Sequence, residues 1–405
     1  MSPTISDRQK QFIDEIAKSE GFEHYNLELD QGSLKGDNYF GIITVVTIRQ
    51  TLTKNELHLI LKSALQGEEL RKKVPVHQVY ERENFFYGVI LRELSDLQRE
   101  HKVKDVFDGT ARFYGGLNDI NEECLVLENL KTKGFKLWDR KRPMDSHHVG
   151  AVMAQYGKFH ALSYALKKLK PGVFSKLTEN YRNVLNENMS KTEMGDSMVN
   201  AMDRALKAVR GNDAAVAGLK RFMETANVFF NQTLKTRDKY SVIQHGDNWC
   251  NNIMFKYQDT KCQKPSKVYF LDWQLSGYGS PIQDLSYFFY SCSSKLVLDT
   301  HNSYLKIYYE SLSAMLRQFN INPDEIMTFR ELQLQWMVYA KYGMYMALLI
   351  LKIMLSEQDE AGDLRDYTKK DQNVLSLFDG DITNTEEYNK RVSIVISHMV
   401  KNRFI

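Results

Sequence analysis

Cysteine is sparse in this chain. The four thiols among 405 residues, Cys124, Cys250, Cys262 and Cys292, contain no close pair with metal-ligand spacing and no disulfide framework. A disulfide-stapled scaffold and a cysteine zinc site are thereby excluded, and reduced thiols in a cytoplasmic protein are the expectation. Charge of one sign is lacking too. A net charge of +3 is too small at this length to point to nucleic acid or an acidic membrane surface. The most apolar stretch, Met344 to Leu355, is interrupted by Lys352 and falls short of the ~20 residues needed to cross a bilayer, so it reads as a buried helix rather than a membrane span. The opening residues have no basic start followed by an apolar core, so no secretory signal is expected. No internal repeat is visible.

What is present is an ordinary globular balance, 43% hydrophobic and 26% charged residues, in a chain long enough for two or three domain-sized units. Gln9 to Ser19 has helical apolar spacing. A glycine-punctuated turn, Gly32 to Gly41, then leads into Ile42 to Ile48, a β-branched run that reads as a strand. Leu57 to Lys62 is the next strand, with Leu57, Leu59 and Leu61 on one face and His58, Ile60 and Lys62 on the other. A lysine ending an apolar strand is ordinarily a solvated edge residue; following a glycine-rich hairpin, it can instead point into a phosphate site. Val79 to Leu97 is helical with Glu83 near its start, and Arg112 to Gly115 and Cys124 to Leu130 read as strands. Thereafter helices dominate: Val149 to Leu169, Asn180 to Leu185, Thr192 to Arg210, Ala214 to Thr236, Leu298 to Phe319, Pro323 to Leu355 and Glu386 to Lys401. The shift near Leu130 predicts an α+β, two-lobed chain with a β-rich lobe over 1–130 and a mainly helical lobe over 131–405. Gly362 to Thr385, rich in Asp, Asn and Thr, reads as a surface loop.

The stretch Gln244-His245-Gly246-Asp247-Asn248-Trp249-Cys250-Asn251-Asn252 interrupts the helical half. It precedes an apolar run, Ile253 to Tyr257, and a second run, Val268 to Leu271, ends in Asp272; a polar segment separates the two, which is the pattern of a β-hairpin. Antiparallel pairing puts Asn252 and Asp272 at one end of the hairpin, with Asp247 in the loop leading in. Three oxygen-bearing side chains on one edge suit Mg²⁺, a hard cation commonly bound together with substrate phosphates.

A glycine turn, a strand lysine, a helix glutamate, a hinge strand, a catalytic loop and a metal-binding aspartate, in that order, are the layout of protein-kinase-like phosphotransferases. His245-Gly246-Asp247 followed by Asn252 corresponds to their H-x-D-x-x-x-x-N pattern. With Gly36-Asp37-Asn38-Tyr39, Tyr80-Glu-Arg-Glu83, Leu125 to Leu130, Lys158-Phe-His160 and Leu271-Asp272-Trp-Gln274 to Asp284, the chain resembles the ecdysteroid kinase-like family, itself similar to the aminoglycoside phosphotransferase and choline kinase group.

The resemblance implies an ATP- and Mg²⁺-dependent kinase. Asp247 would orient an acceptor hydroxyl and accept its proton, and Asn252 and Asp272 would hold Mg²⁺ on the nucleotide phosphates. Lys62 would contact the α- and β-phosphates with Glu83 holding it in place. Gly36 and Asn38 would belong to the turn covering the phosphates, and Glu128, Asn129 and Leu130 to the hinge beside adenine. Asp284 would brace the catalytic loop, while His160 reads as a core histidine. Two departures from protein kinases bear on the acceptor. Trp273-Gln274 follows Asp272 where protein kinases have Phe-Gly, and only eleven residues lie between Asp272 and Asp284, too few for a long activation loop. The expectation is a permanently assembled site and a small-molecule alcohol as acceptor. It could be a steroid hydroxyl, as for ecdysteroid kinases, a hydroxylated xenobiotic, or choline. A nucleotide-binding pseudokinase is the rival from a different class, disfavoured because every required polar position is filled. Aromatic residues in the helical half (Trp138, Phe288, Phe289, Trp336, Tyr339, Tyr342, Tyr345) suit either a pocket or core packing.

Overall fold

The computed structural model describes residues 4–32, 41–51, 53–182, 191–259, 261–357 and 383–405. Gly36 and Asn38 lie outside these residues, as does most of the Gly362 to Thr385 stretch.

The β-branched run Ile42 to Ile48 lies in β2 (Gly41–Gln50), paired antiparallel with β1 (Tyr25–Gln31) on one side and β3 (Glu56–Ala64) on the other. With β4 (Phe113–Leu117) and β5 (Cys124–Glu128) they make a five-stranded sheet in the order β1-β2-β3-β5-β4, so β3 is the central strand. Its two-residue period sorts the side chains. Leu59 and Leu61 enter a cluster with Ile13, Ile16 and Ala17 of helix α1 (Asp7–Ser19), whose start is fixed by a reciprocal Ser6/Gln9 cap. Lys62 therefore faces the other side. The strand does not end at Lys62, as the sequence suggested, but continues to Ala64, and Lys62 is only 4% exposed.

On that other face, after the short α2 (Glu68–Lys73), lies one long helical stretch. It comprises α3 (Val76–Phe85), a π-turn (Phe86–Ile90) and α4 (Leu91–Glu100). Residues beyond β5 are mainly helical. β6 (Phe135–Leu137) is followed by α5 (Ser146–Leu169), α6 (Pro171–Thr178), α7 (Lys191–Ala208) and α8 (Asp213–Lys235). The expected helix over Asn180 to Leu185 is not formed at residues 180–182, and the rest of it lies outside the described residues.

The predicted hairpin is present as β8 (Ile253–Tyr257) and β9 (Pro265–Phe270), antiparallel with Ile253 opposite Phe270. β6 adds to its edge, and β7 (Val242–Gln244) pairs with β10 (Gly277–Gly279), so that the loop between β7 and β8 is held at both ends. Helix α9 (Pro281–Cys292) follows and has all twelve residues buried. Its start is set by the Ser280 cap and by Pro281, and its polar residues, Gln283 and Asp284 among them, turn into the fold rather than to solvent.

The final helices are α10 (Lys295–Asp299), α11 (His301–Gln318), α12 (Pro323–Ile326), α13 (Phe329–Leu355) and α14 (Thr385–Lys401). Two stretches expected as single helices are thus broken. At Thr300 the hydroxyl turns back to the Leu296 and Val297 carbonyls, and at Thr328 a capping box with Glu331 starts a new helix after extended Met327. The Pro323–Leu355 stretch is long and apolar enough to cross a membrane by length and composition, but 72% of its apolar window is buried inside the fold. Met344, Leu348, Leu351 and Leu355 are core, as the sequence suggested. Gly343 lets α13 approach α9 closely: a Cβ there would meet the Ser286 carbonyl carbon at 2.2 Å.

Candidate active site

Where the sheet meets the helical half, Lys62 of β3 extends its ammonium between two carboxylates. Nζ lies 2.7 Å from Glu83 Oε2 on α3 and 2.6 Å from Asp272 Oδ1, with Gln274 Oε1 at 3.5 Å. The edge-lysine alternative is thereby removed. Burial works against the ammonium, but Asp272 and Glu83 outweigh it and raise the Lys62 pKa above the ordinary lysine range. Glu83, 1% exposed, is pushed up to about 7 by burial despite Lys62 beside it. Its second oxygen accepts the Trp273 backbone N–H at 3.1 Å.

Asp272 sits two residues past β9 with φ 63° and ψ 71°, a left-handed conformation that costs a non-glycine residue ~1 kcal/mol or more. Contacts on both sides hold it there. The preceding Leu271 N–H donates to the Asn252 carbonyl at 2.8 Å, and the following Trp273 N–H goes to Glu83. This brings Asn252 and Asp272 to one end of the hairpin, as expected from its register.

The loop between β7 and β8 is supported from below. Asp284, in the first turn of α9, accepts the backbone N–H groups of His245 (2.8 Å) and Gly246 (3.0 Å) and the Asn248 amide (2.6 Å). Burial alone would raise the Asp284 carboxyl, but the hydrogen bond from His160 Nε2 and the surrounding donors hold it below the usual range. His160 is a fully buried core histidine, its other ring nitrogen bonded to the Tyr308 hydroxyl. His245 donates from Nε2 to the Leu271 carbonyl and accepts the Asp247 N–H at Nδ1, and burial lowers its pKa, so it serves the loop as a neutral spacer.

Asp247 itself is half-buried. Its Oδ2 accepts the Asn252 amide at 2.8 Å, and Asn252 also donates to the Asp247 carbonyl at 3.0 Å. Desolvation, with Asp272 nearby, pushes the Asp247 carboxyl up to about 7. A carboxyl with that affinity for a proton is suited to take one from a hydroxyl near neutral pH. Because Asn252 spends its NH₂ on Asp247, its amide oxygen is the atom left for a cation. Together with the Asp272 carboxylate it forms an all-oxygen donor set that suits Mg²⁺.

At the end of β5, the Glu128 N–H donates to the Arg112 carbonyl, the Asn129 N–H to the His58 carbonyl, and Asn129 Oδ1 accepts from Lys131, so the connection out of the sheet is fixed. Leu130 is buried there. This segment is separate from the Lys62 and Asp247 clusters. The sequence marked Trp273 and Gln274 only as a departure from Phe-Gly, and Tyr287 went unread. Gln274 approaches Lys62; Trp273 stacks on Phe86; and the Tyr287 hydroxyl reaches Asp247 Oδ1 at 3.2 Å. Of the aromatic residues held open between pocket and core, Phe288, Phe289, Trp336, Tyr342 and Tyr345 are core. Tyr342 stacks on Phe230, and the Asp247 charge is among the influences on its hydroxyl.

A sheet-borne lysine–glutamate pair facing a metal-suited hairpin end and a braced aspartate loop defines a kinase-like phosphotransferase of two lobes. The sequence pattern of the ecdysteroid kinase-like family matches residues 35–321, and the chain belongs to that family. No curated protein sequence matches it. Among solved structures it is similar to a GDP complex of an aminoglycoside 2′-phosphotransferase (TM-score 0.43, 6% identity, 97% of this chain and 98% of that one covered). It is also similar to an ethanolamine kinase of Plasmodium vivax (0.34, 12%, 78% and 80%). A third is a glucosamine kinase in complex with glucosamine, ADP and inorganic phosphate (0.36, 10%, 98% and 83%).

Proposed function

We propose that this protein is an ATP- and Mg²⁺-dependent kinase that phosphorylates the hydroxyl of a small molecule. The observation that carries the proposal is the convergence of Lys62, Glu83 and Asp272 from three separate segments beside Asp247 and Asn252. Phosphoryl transfer is accelerated mainly by positioning and by neutralising phosphate charge, and these residues are of the types that do both.

When bound, ATP with Mg²⁺ supplies the electrophilic γ-phosphoryl group. Asn252 Oδ1 and Asp272 would hold the cation, and Lys62, kept in place by Glu83, would set its charge against the nucleotide phosphates. Glu128 to Leu130, with the turn containing Gly36 and Asn38, would bind the rest of the nucleotide. Asp247 orients the acceptor hydroxyl and takes its proton as the new oxygen–phosphorus bond forms and the bond to the departing diphosphate breaks. The family suggests a steroid alcohol as acceptor.

The test is Mg²⁺-dependent ATP turnover by the purified protein across a panel of alcohols that includes a polyhydroxylated steroid, hydroxylated aromatics and choline. Turnover should vanish on chelation and in Asp247→Asn and Asp272→Ala. Tight nucleotide binding with no turnover on any alcohol would identify a pseudokinase instead, and faster phosphorylation of a generic protein would overturn the small-acceptor assignment.

A further inference from the structure

Helix α9 reaches the catalytic loop twice. Asp284 lies under its backbone amides, and Tyr287, three residues on and so on the same face of the helix, directs its hydroxyl to Asp247. Tyr287 is 2% exposed, and its helix is fixed from behind by the close contact of Ser286 with Gly343. The hydroxyl is 3.2 Å from Oδ1, while Asn252 holds Oδ2 at 2.8 Å, so the two carboxylate oxygens have different donors from different segments. At 3.2 Å the contact is long for an O–H···O bond.

A carboxylate held at one oxygen can still turn about its last side-chain bond, because that torsion is broad. Donors at both oxygens fix its plane. The Trp249 side chain is a further donor to this carboxylate, and with two lone pairs on each oxygen one remains to receive a substrate proton without breaking these bonds. We infer that Tyr287 is a positioning residue for phosphoryl transfer, which sets the plane of the Asp247 carboxylate so that Oδ1 meets the acceptor hydroxyl in line for reaction. The inference rests on the kinase assignment above. It extends the site beyond the loop and hairpin to a residue forty positions away.

Tyr287→Phe removes the hydroxyl and keeps the ring, so packing is preserved. Misplacement of a reacting group lowers turnover without altering nucleotide binding; kcat for Mg²⁺-dependent ATP turnover, on the best alcohol of the panel or on water, should fall about tenfold. The KM for ATP, the affinity for ADP with Mg²⁺ and the melting temperature should stay at wild-type values. Wild-type kcat in Tyr287→Phe, with Asp247→Asn inactive, overturns the inference and leaves the kinase assignment standing. A fall in kcat accompanied by a lower melting temperature or weaker ADP binding assigns Tyr287 to packing and overturns it as well. Full turnover in Asp247→Asn removes Asp247 from the reaction and overturns this inference with it, whereas a wild-type protein with no Mg²⁺-dependent turnover on any alcohol sinks the kinase assignment itself.

Discussion

Phe86 and Trp273 stack face to face, their ring centroids 3.7 Å apart and their planes within 7°. Phe86 begins the π-turn just beyond Glu83, and Trp273 directly follows Asp272. The stack therefore joins the helix that carries the glutamate to the segment that carries the aspartate, in parallel with the Trp273 N–H bond to Glu83 and the Lys62 bridge. Both rings are fully buried, and Phe159 packs edge-on against each. Gln274 stands where protein kinases have the glycine that lets the metal-binding aspartate turn away, and the Trp273 ring before it anchors the backbone.

Removal of that anchor should cost both stability and nucleotide binding. Trp273→Ala is expected to destabilise the fold by about 3–5 kcal/mol, the usual range for a buried tryptophan. Urea denaturation measures this. Phe86→Leu, a milder change, should weaken binding of ADP with Mg²⁺ more than its smaller stability loss explains.

Asp247→Asn should trade activity for stability. The carboxylate is half-buried, held by neutral donors and near a second carboxylate, an arrangement that favours function over folding. An asparagine can still accept from the Asn252 amide, and its NH₂ can donate to the Tyr287 oxygen. Turnover should disappear, while thermal melting at pH 8 without added metal should show a gain of about 1 kcal/mol. A less stable variant at that pH would contradict the assigned cost of burial.

Gly343→Ala tests the seat of α9. The added methyl would collide with the Ser286 backbone, which has no flexible end to yield, so α9 and α13 must separate. The expected penalty is about 3 kcal/mol, at the upper end for overpacking. Because α9 carries Asp284 and Tyr287, kcat should fall with the melting temperature, and an active, stable variant would show that the close approach is dispensable.

Acid sensitivity should appear at the start of α13. Hydrogen bonds from the Thr328 N–H and the Tyr240 hydroxyl hold the Glu331 carboxyl down at about 2, against an ordinary value near 4.5. A depressed carboxyl contributes stability that is fully present above the unfolded value and is lost as pH falls through the folded one. Glu331→Gln should thus be less stable than wild type at pH 7. The difference should shrink between pH 4.5 and pH 2 in urea titrations.

The catalytic loop and hairpin were legible because local chain geometry decides them. A five-residue spacing from Asp247 to Asn252, and an antiparallel return that ends at Asp272, place these groups together whatever surrounds them. Lys62 was half legible: alternation on β3 gave its face, but whether that face was solvent or site depended on α3 packing there. The Thr328-to-Glu331 capping pattern was also readable and marks the helix break inside Pro323–Leu355. α9 was not read from the sequence: Ser280 and Pro281 mark its start, but with every residue buried no exposed face sets it off from the hairpin before it.

By itself, then, the sequence determined the order of the parts and the chemistry of the loop, because both depend on neighbours in the chain. Only the tertiary structure decided which distant groups complete them. The three-way meeting of Lys62, Glu83 and Asp272, the Phe86–Trp273 stack and the reach of Tyr287 to Asp247 depend on how a sheet, a π-turned helix and a buried helix pack, and such contacts leave no spacing signal in the sequence.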